Sequence, residues 1–465
     1  MAKKRSSFSS SLGFILAAAG SAVGLGNIWR FPYLAAKDGG GLFILIYIIL
    51  VLTFGFTLLT SEIGIGRKTK QSQLTAYSSL NKSFGWLGYM AQIIPMMILP
   101  YYCVIGGWVL KYLIVFLTGD EIAATRDDYF VGAISDPGSA IIFNCIFLFA
   151  TILVVYFGVN KGIEKMSKIL MPALVVLIVG IVIFSLTIHG TDPSGVERSG
   201  IDGFLGYISI DFSSLTFKQV VTTVIDAMGQ LFYSISVAMG IMISYGSYLN
   251  DDADVAGAVG KIEIFDTLIA LLAGAMIIPS VLVFMGPEGM EKSGPSLMFV
   301  IMPKVLASMG VAGKVVGVIF FLTVLFAAIT SSVSLLEAIV AGFIDRFKWK
   351  RKKVVVVAGI FTLIMGTIVA LGYSIFYIEF PMPNGNTGQI LDVLDYISNN
   401  LLMPILAIGT CIMIGWVLKP KTIVEEVTKN GEKFGREKLY VVMVKFIVPI
   451  LLCILFLTSG GIIKL

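Results

Sequence analysis

A chain of 465 residues that is 57% hydrophobic and only 14% charged is too apolar for a soluble domain and reads as an all-α polytopic membrane protein. Its net charge of +5 is no nucleic-acid signature, because the basic residues fall between apolar runs, where membrane topology explains them. A single histidine, with neither a His-Glu-x-x-His pair nor a phosphate-cradling Gly-x-x-x-x-Gly-Lys loop, argues against an enzyme.

Taken in order, the apolar runs predict eleven membrane-spanning helices, at about 11–36, 41–66, 87–117, 139–158, 166–188, 219–249, 259–286, 313–345, 353–379, 388–418 and 439–462. Lys3-Lys4-Arg5 leads into a full-length first span without a small-residue cleavage site, so no cleaved signal is expected. Placing the N-terminus in the cytosol puts Arg67, Lys68, Lys70, Lys82, Lys161, Lys165, Lys168, the run Arg346–Lys353 and the loop Lys419–Lys438 inside. Outside segments are poorer in Lys and Arg, as the positive-inside rule requires, and an odd span count leaves the C-terminus outside. Cys103, Cys145, Cys411 and Cys453 all fall within spans, as small apolar side chains rather than a disulfide or metal framework.

Within the first span, Gly20–Pro32 reads Gly-Ser-Ala-Val-Gly-Leu-Gly-Asn-Ile-Trp-Arg-Phe-Pro. Glycine weakens a helix, and an arginine in hydrocarbon is costly without a partner. Close helix packing would explain the glycines but not Asn27 and Arg30, so a broken helix around a polar site is predicted. The sixth span repeats the pattern at Gly229–Tyr248, glycine-interrupted and serine-rich. Ser234 and Ser236 alone would be expected to bond back to their own helix. Their register beside the other interrupted span changes that reading. Interrupted spans five apart point to two inverted five-helix repeats, 11–188 and 219–418, with 439–462 as an extra helix, in one transmembrane domain. Such an arrangement belongs to a secondary transporter with its site at the midplane, where freed N–H groups suit an anion and freed carbonyls a cation.

Together with Gly39-Gly40-Gly41, Tyr101-Tyr102, Phe326–Ser332 and Leu391–Asp395, these stretches resemble the neurotransmitter:sodium symporter family over nearly the whole chain. The resemblance is to its bacterial amino-acid-transporting branch and implies the fold of that branch's leucine transporter. It implies two sodium sites. The first uses the Ala22 carbonyl, Asn27, Ser234, Asp266 and the substrate carboxylate. The second uses carbonyls of Gly20, Val23 and Ala327 with the hydroxyls of Thr330 and Ser331. Substrate carboxylate is expected at the N–H groups near Ala22 and Gly24 and at the Tyr102 hydroxyl, and the ammonium at carbonyls of the sixth span near Ser236. Ser21, Ile98, Tyr233, Met239, Ser331 and Leu335 shape the side-chain pocket. Ile98, Met239 and Leu335 offer no charge, which favours a neutral, hydrophobic or aromatic amino acid in a multi-pass protein of the cell membrane.

Many relatives carry a neutral Asn where this chain has Asp266, and use chloride nearby. A fixed carboxylate makes chloride unnecessary, with proton antiport expected on the return step. The resemblance also assigns Arg30 and Asp395 to an outer gate, and Arg5, Asp345 and Tyr248 to an inner one. Arg5 is equally accounted for as a topology signal. Glu62 braces the broken helices by the same analogy, and Glu337 receives no role. The alternatives are a transport-inactive amino-acid sensor, or a symporter for glycine or alanine.

Overall fold

The computed structural model describes residues 7–210, 212, 215–291, 294–383, 385 and 387–463. Among them, nine unbroken helices are long and apolar enough to cross a membrane: Gly41–Thr69, Lys82–Thr118, Pro137–Tyr156, Val159–Thr187, Val255–Met285, Val311–Phe347, Arg351–Leu371, Ile390–Val417 and Glu437–Ser459. A tenth crossing is made by two pieces, Ser11–Ala22 and Gly26–Lys37, which meet at an angle of 53°. The sixth predicted span is also in pieces, Phe217–Ser234 and Ile241–Gly246. Neither piece is a full-length apolar crossing by itself, which is why ten crossings rather than eleven are recognisable by length.

Local chemistry accounts for both interruptions. Ser10 opens the first helix by accepting from the Gly13 N–H at 3.0 Å, and the helix ends when Val23 turns extended at φ −71°, ψ 101°. Gly24 and Gly26 flank the unwound turn because other side chains already occupy their Cβ positions. A Cβ on Gly24 would lie 2.9 Å from Ser331 Oγ, and one on Gly26 would lie 2.8 Å from the Tyr233 ring. In the sixth region, Ser236, Ala238 and Gly240 have φ of +54°, +56° and +75°, so the helix cannot continue through them.

The two broken segments sit at the centre. Gly13 to Ala22 are all buried, and the first helix packs against Val255–Met285, Val311–Phe347 and Val159–Thr187. Lipid-facing side chains such as Ile49, Phe149, Val176 and Ile360 are exposed on the outer helices instead. This is the inside-out pattern of a membrane bundle with a polar middle. No cysteine is paired; Cys103 and Cys411 are buried as expected, while Cys453 is on the exposed face. Short elements in the connections were not anticipated: Gln73–Leu80, Gly200–Ile208, Leu297–Ser308, Lys421–Val427, and the hairpin pairing His189–Thr191 with Glu197–Ser199.

Candidate functional site

The two interruptions face each other and are stitched together by side chains that the broken backbone exposes. Ser236 Oγ donates to the Ser21 carbonyl at 2.8 Å, and Ser21 Oγ donates to Ser236 Oγ at 3.1 Å. From Val311–Phe347, Ser331 Oγ donates to the carbonyls of Ser21 (3.1 Å) and Val23 (3.3 Å). The Leu25 N–H reaches the Tyr102 hydroxyl at 3.4 Å.

Between these elements lies a pocket lined by Ser21, Ala22, Gly24, Asn27, Ile98, Tyr102, Tyr233, Ser234, Ser236, Met239, Ser331 and Leu335, with Leu25, Gly26 and Ile241 completing it. All the substrate-binding residues expected from sequence are therefore in one cavity. The last three were not anticipated; Leu25 and Gly26 belong to the first break, and Ile241 begins the helix after the second. Among the described residues, no charged side chain lines the cavity. Ile98, Met239, Ile241 and Leu335 supply an apolar wall, and the broken backbones supply the polar end. Every lining residue is buried except Tyr233, which is only half-buried and forms the side nearest Arg30 and Asp395.

Beside the polar end is a buried acid cluster. Asn27 Nδ2 donates to Ser234 Oγ (2.9 Å) and Asp266 Oδ1 (2.8 Å), and its Oδ1 accepts from the Gly24 N–H at 3.0 Å. Ser234 Oγ donates to Asp266 Oδ1 at 2.8 Å, and Tyr47 OH to Asp266 Oδ2 at 3.2 Å. Asp266 is fully buried. Every hydrogen bond to it comes from a neutral donor, so its charge has no cationic partner among the described residues. A carboxylate so placed, with the Asn27 amide and the Ser234 and Tyr47 hydroxyls around it, is an oxygen-rich setting suited to a hard monovalent cation. Tyr47 was not anticipated.

The residues expected at a second ion also converge. A Cβ on Gly20 would be 3.3 Å from Thr330 Cβ, while Thr330 Oγ1 donates to the carbonyls of Phe326 (3.1 Å) and Ala327 (3.0 Å). With Ser331 on the Val23 carbonyl, Gly20, Val23, Ala327, Thr330 and Ser331 meet where the first helix breaks.

Above Tyr233, Asp395 accepts from Tyr101 OH at 2.9 Å and Asn399 Nδ2 at 2.6 Å. Arg30 stands within electrostatic range of Asp395, but no ion pair joins them among the described residues. On the opposite side, Phe8 closes over the first helix, stacking edge-on with Phe14, Tyr245 and Tyr248, and its N–H donates to the Tyr248 carbonyl at 3.2 Å. Asp345 accepts from the Ser72 N–H at 2.6 Å. Arg5 lies outside the described residues. Glu337, without a role from sequence, is fully buried. It accepts from Tyr248 OH at 2.7 Å and is gripped by Arg351, whose Nε also donates to the Val155 carbonyl at 3.0 Å. Glu62 Oε1 accepts from the Ala238 N–H at 2.6 Å, so it does touch the unwound sixth segment.

A pocket enclosed between two broken helices in a membrane bundle, closed by separate side-chain layers on its two sides, is the architecture of a secondary transporter. Comparison with known proteins makes the assignment specific. The profile of the Sodium:neurotransmitter symporter family matches residues 5–131 and 129–464, and the chain belongs to that family. It is 31% identical over 464 residues to the sodium-dependent transporter YhdH of Bacillus subtilis, covering 98% of each chain. It is 32% identical to a sodium-dependent transporter of Methanocaldococcus jannaschii over 92% of this chain and 85% of that one. The crystal structure of MhsT in complex with L-phenylalanine matches with a TM-score of 0.84 at 33% identity, over 98% of this chain and 100% of that one. The protein is thus a sodium-dependent symporter with the fold of the leucine transporter, and not an enzyme.

Proposed function

We propose that the chain imports a neutral, hydrophobic amino acid together with two sodium ions by alternating access. The observation that carries this reading is the pocket itself: polar where the two broken backbones meet, apolar along Ile98, Met239, Ile241 and Leu335, and free of charged side chains among the described residues. A zwitterion fits the first part and an uncharged side chain the second. The bound L-phenylalanine of MhsT supports the same substrate class.

Sodium as cargo would be held at Ala22, Asn27, Ser234 and Asp266, and at Gly20, Val23, Ala327, Thr330 and Ser331. Both groups join the first break to other helices, so the ions would stabilise the closed pocket. The inverted repeats 11–188 and 219–418 would rock around this centre, with the N-terminus cytosolic and the C-terminus outside. Fixed charge at Asp266 would make chloride unnecessary and favour proton return.

The direct test is uptake of single labelled amino acids into proteoliposomes with an inward sodium gradient. Two ions crossing 100 mV supply about 4.6 kcal/mol at about 2.3 each, enough for roughly thousandfold accumulation. Uptake is expected to collapse when choline replaces sodium; undiminished uptake in choline would reject the reading. Sodium-stimulated binding without uptake would instead identify a sensor, and preference for glycine over phenylalanine would contradict the proposed pocket chemistry.

The outer layer gives a second expected result. Arg30→Ala and Asp395→Ala should each slow uptake while leaving equilibrium binding in detergent nearly unchanged, because neither residue lines the pocket. Parental uptake rates in both variants would remove Arg30 and Asp395 from the gate.

A further inference from the structure

Six of the eight residues in Arg346–Lys353 are cationic. Arg351 alone is turned inward, engaged by buried Glu337 and the Val155 carbonyl. Arg346, Lys348, Lys350, Lys352 and Lys353 are exposed, and no ion pair engages them among the described residues. Lys161 and Lys165 are likewise exposed and unpaired there, in the first turns of Val159–Thr187. The two groups share one surface, because Lys352 Nζ lies 5.0 Å from the Tyr156 ring centroid and a Cβ on Gly158 would lie 3.7 Å from Arg351 Nε. The neighbouring carboxylates are committed elsewhere: Asp345 accepts from Ser72, Glu164 from Ser9 and Lys168, and Glu337 from Arg351.

Seven like charges without counterions among the described residues make this face attractive to an anion from outside it. Two features say where it comes from. Phe347 and Trp349 pack with ring centroids 5.5 Å apart and planes tilted by 34°, are 51% and 40% exposed, and stand among the cations, with Lys353 Nζ 4.4 Å from the Trp349 centroid. Exposed aromatic rings among lysines are what anchors a protein at headgroup level. Immediately beyond the cations, Val356, Val357 and Ile360 on one helix and Leu153 and Phe157 on the other present exposed apolar side chains. The charge therefore borders an apolar wall of the kind that contacts acyl chains, and a molecule that is anionic at one end and aliphatic at the other matches both.

We propose that Arg346–Lys353, with Lys161 and Lys165, forms a seat for anionic phospholipid headgroups in the leaflet on that side of the membrane. The loop is short, with Lys348–Lys350 alone joining two helices, so its cations are held at fixed positions rather than on a mobile tail. The seat is also tied to the interior, since Arg351 on the same turn bonds the carboxylate that Tyr248 bonds.

Trp349 provides a built-in reporter. The full-length protein is reconstituted in vesicles of phosphatidylcholine containing a minor fraction of phosphatidylglycerol, with bromine on the acyl chains of either lipid. Quenching specific to Trp349 is obtained by difference from Trp349→Phe. Brominated phosphatidylglycerol should compete for the site at least about fivefold better than brominated phosphatidylcholine, the factor one surface cation supplies. That preference should fall steeply with added salt. It should also drop to near parity in Lys348→Gln/Lys350→Gln/Lys352→Gln/Lys353→Gln. Equal quenching by the two lipids in the unmodified protein would overturn the proposal, as would a preference insensitive to salt. Soluble glycerol phosphate at millimolar concentration should not relieve the quenching; relief would reassign the cations to a soluble anion and overturn the lipid seat. Because the parental protein carries the salt titration, a variant that fails to fold does not leave the proposal undecided, and no arm depends on the transported substrate.

Discussion

Asp266→Asn is expected to raise the sodium concentration for half-maximal uptake by roughly 10- to 100-fold, the equivalent of about 1.5–3 kcal/mol for interactions with a charged partner. The substitution is close to isosteric, and its new carbonyl oxygen can still accept from Asn27 Nδ2 and Ser234 Oγ, which now bond Oδ1 at 2.8 Å each. Packing is therefore preserved and the negative charge alone is removed. At a fully buried position that charge is poorly screened, so its loss is felt by any cation brought beside it. Uptake by parent and variant is compared in chloride and gluconate media across a sodium titration. The parent should be indifferent to the anion, whereas the variant should recover in chloride if the cavity admits that ion. Strict chloride dependence of the parent would overturn this role for Asp266 and leave family membership untouched. An unaltered sodium titration in Asp266→Asn would move the first ion away from this carboxylate.

The position of Asp266 shows how far the sequence could be read. Ten of the eleven apolar runs overlap a crossing recognisable by length, because lipid imposes a length and a composition on an unbroken span; the sixth, in two pieces, does not. Both broken segments were visible, since Gly24, Asn27 and Arg30 make no sense in a lipid-facing helix, and the serines near Gly240 echo them. The pocket followed once a family resemblance placed Ile98, Tyr102 and Leu335 beside the breaks. Partners that depend on how separate helices pack were not legible. Nothing near Tyr47 in the sequence says that its hydroxyl reaches Asp266, 219 positions away. Glu337 is similar: an acid in an apolar run announces that it needs a partner, but Arg351 looked like one more topology signal within a basic run. Arg30 and Asp395 illustrate the converse. Sequence can nominate a pair, yet which state of a gate is closed is a matter of conformation, and here Asp395 is held by Tyr101 and Asn399.

Glu62→Ala is expected to cost about 1–3 kcal/mol of stability by leaving a buried N–H without an acceptor, and to abolish detectable substrate binding. The reason lies in the backbone it supports. Ser236 and Ala238 are non-glycine residues in the left-handed region, at φ of +54° and +56°. Each is unfavourable by roughly 1–2 kcal/mol relative to ordinary helix. Such a conformation persists only where neighbours over-determine it. Ser236 is fixed through its hydroxyl on the Ser21 carbonyl, but Ala238 has no polar side chain, and its N–H is held by Glu62 Oε1 at 2.6 Å. Without that acceptor the segment should relax towards helix, rotating Ser236 and Met239 out of the pocket wall. Glu62→Gln keeps a carbonyl oxygen at the same reach and should retain most of the stability and measurable binding. The comparison uses thermal unfolding of the detergent-solubilised protein and equilibrium binding of labelled amino acid in sodium. Equal losses in the Ala and Gln variants would show that the charge, not the acceptor, matters. A Glu62→Ala protein that unfolds and binds like the parent would mean that the left-handed turn holds itself, and that the carboxylate beneath it serves another purpose.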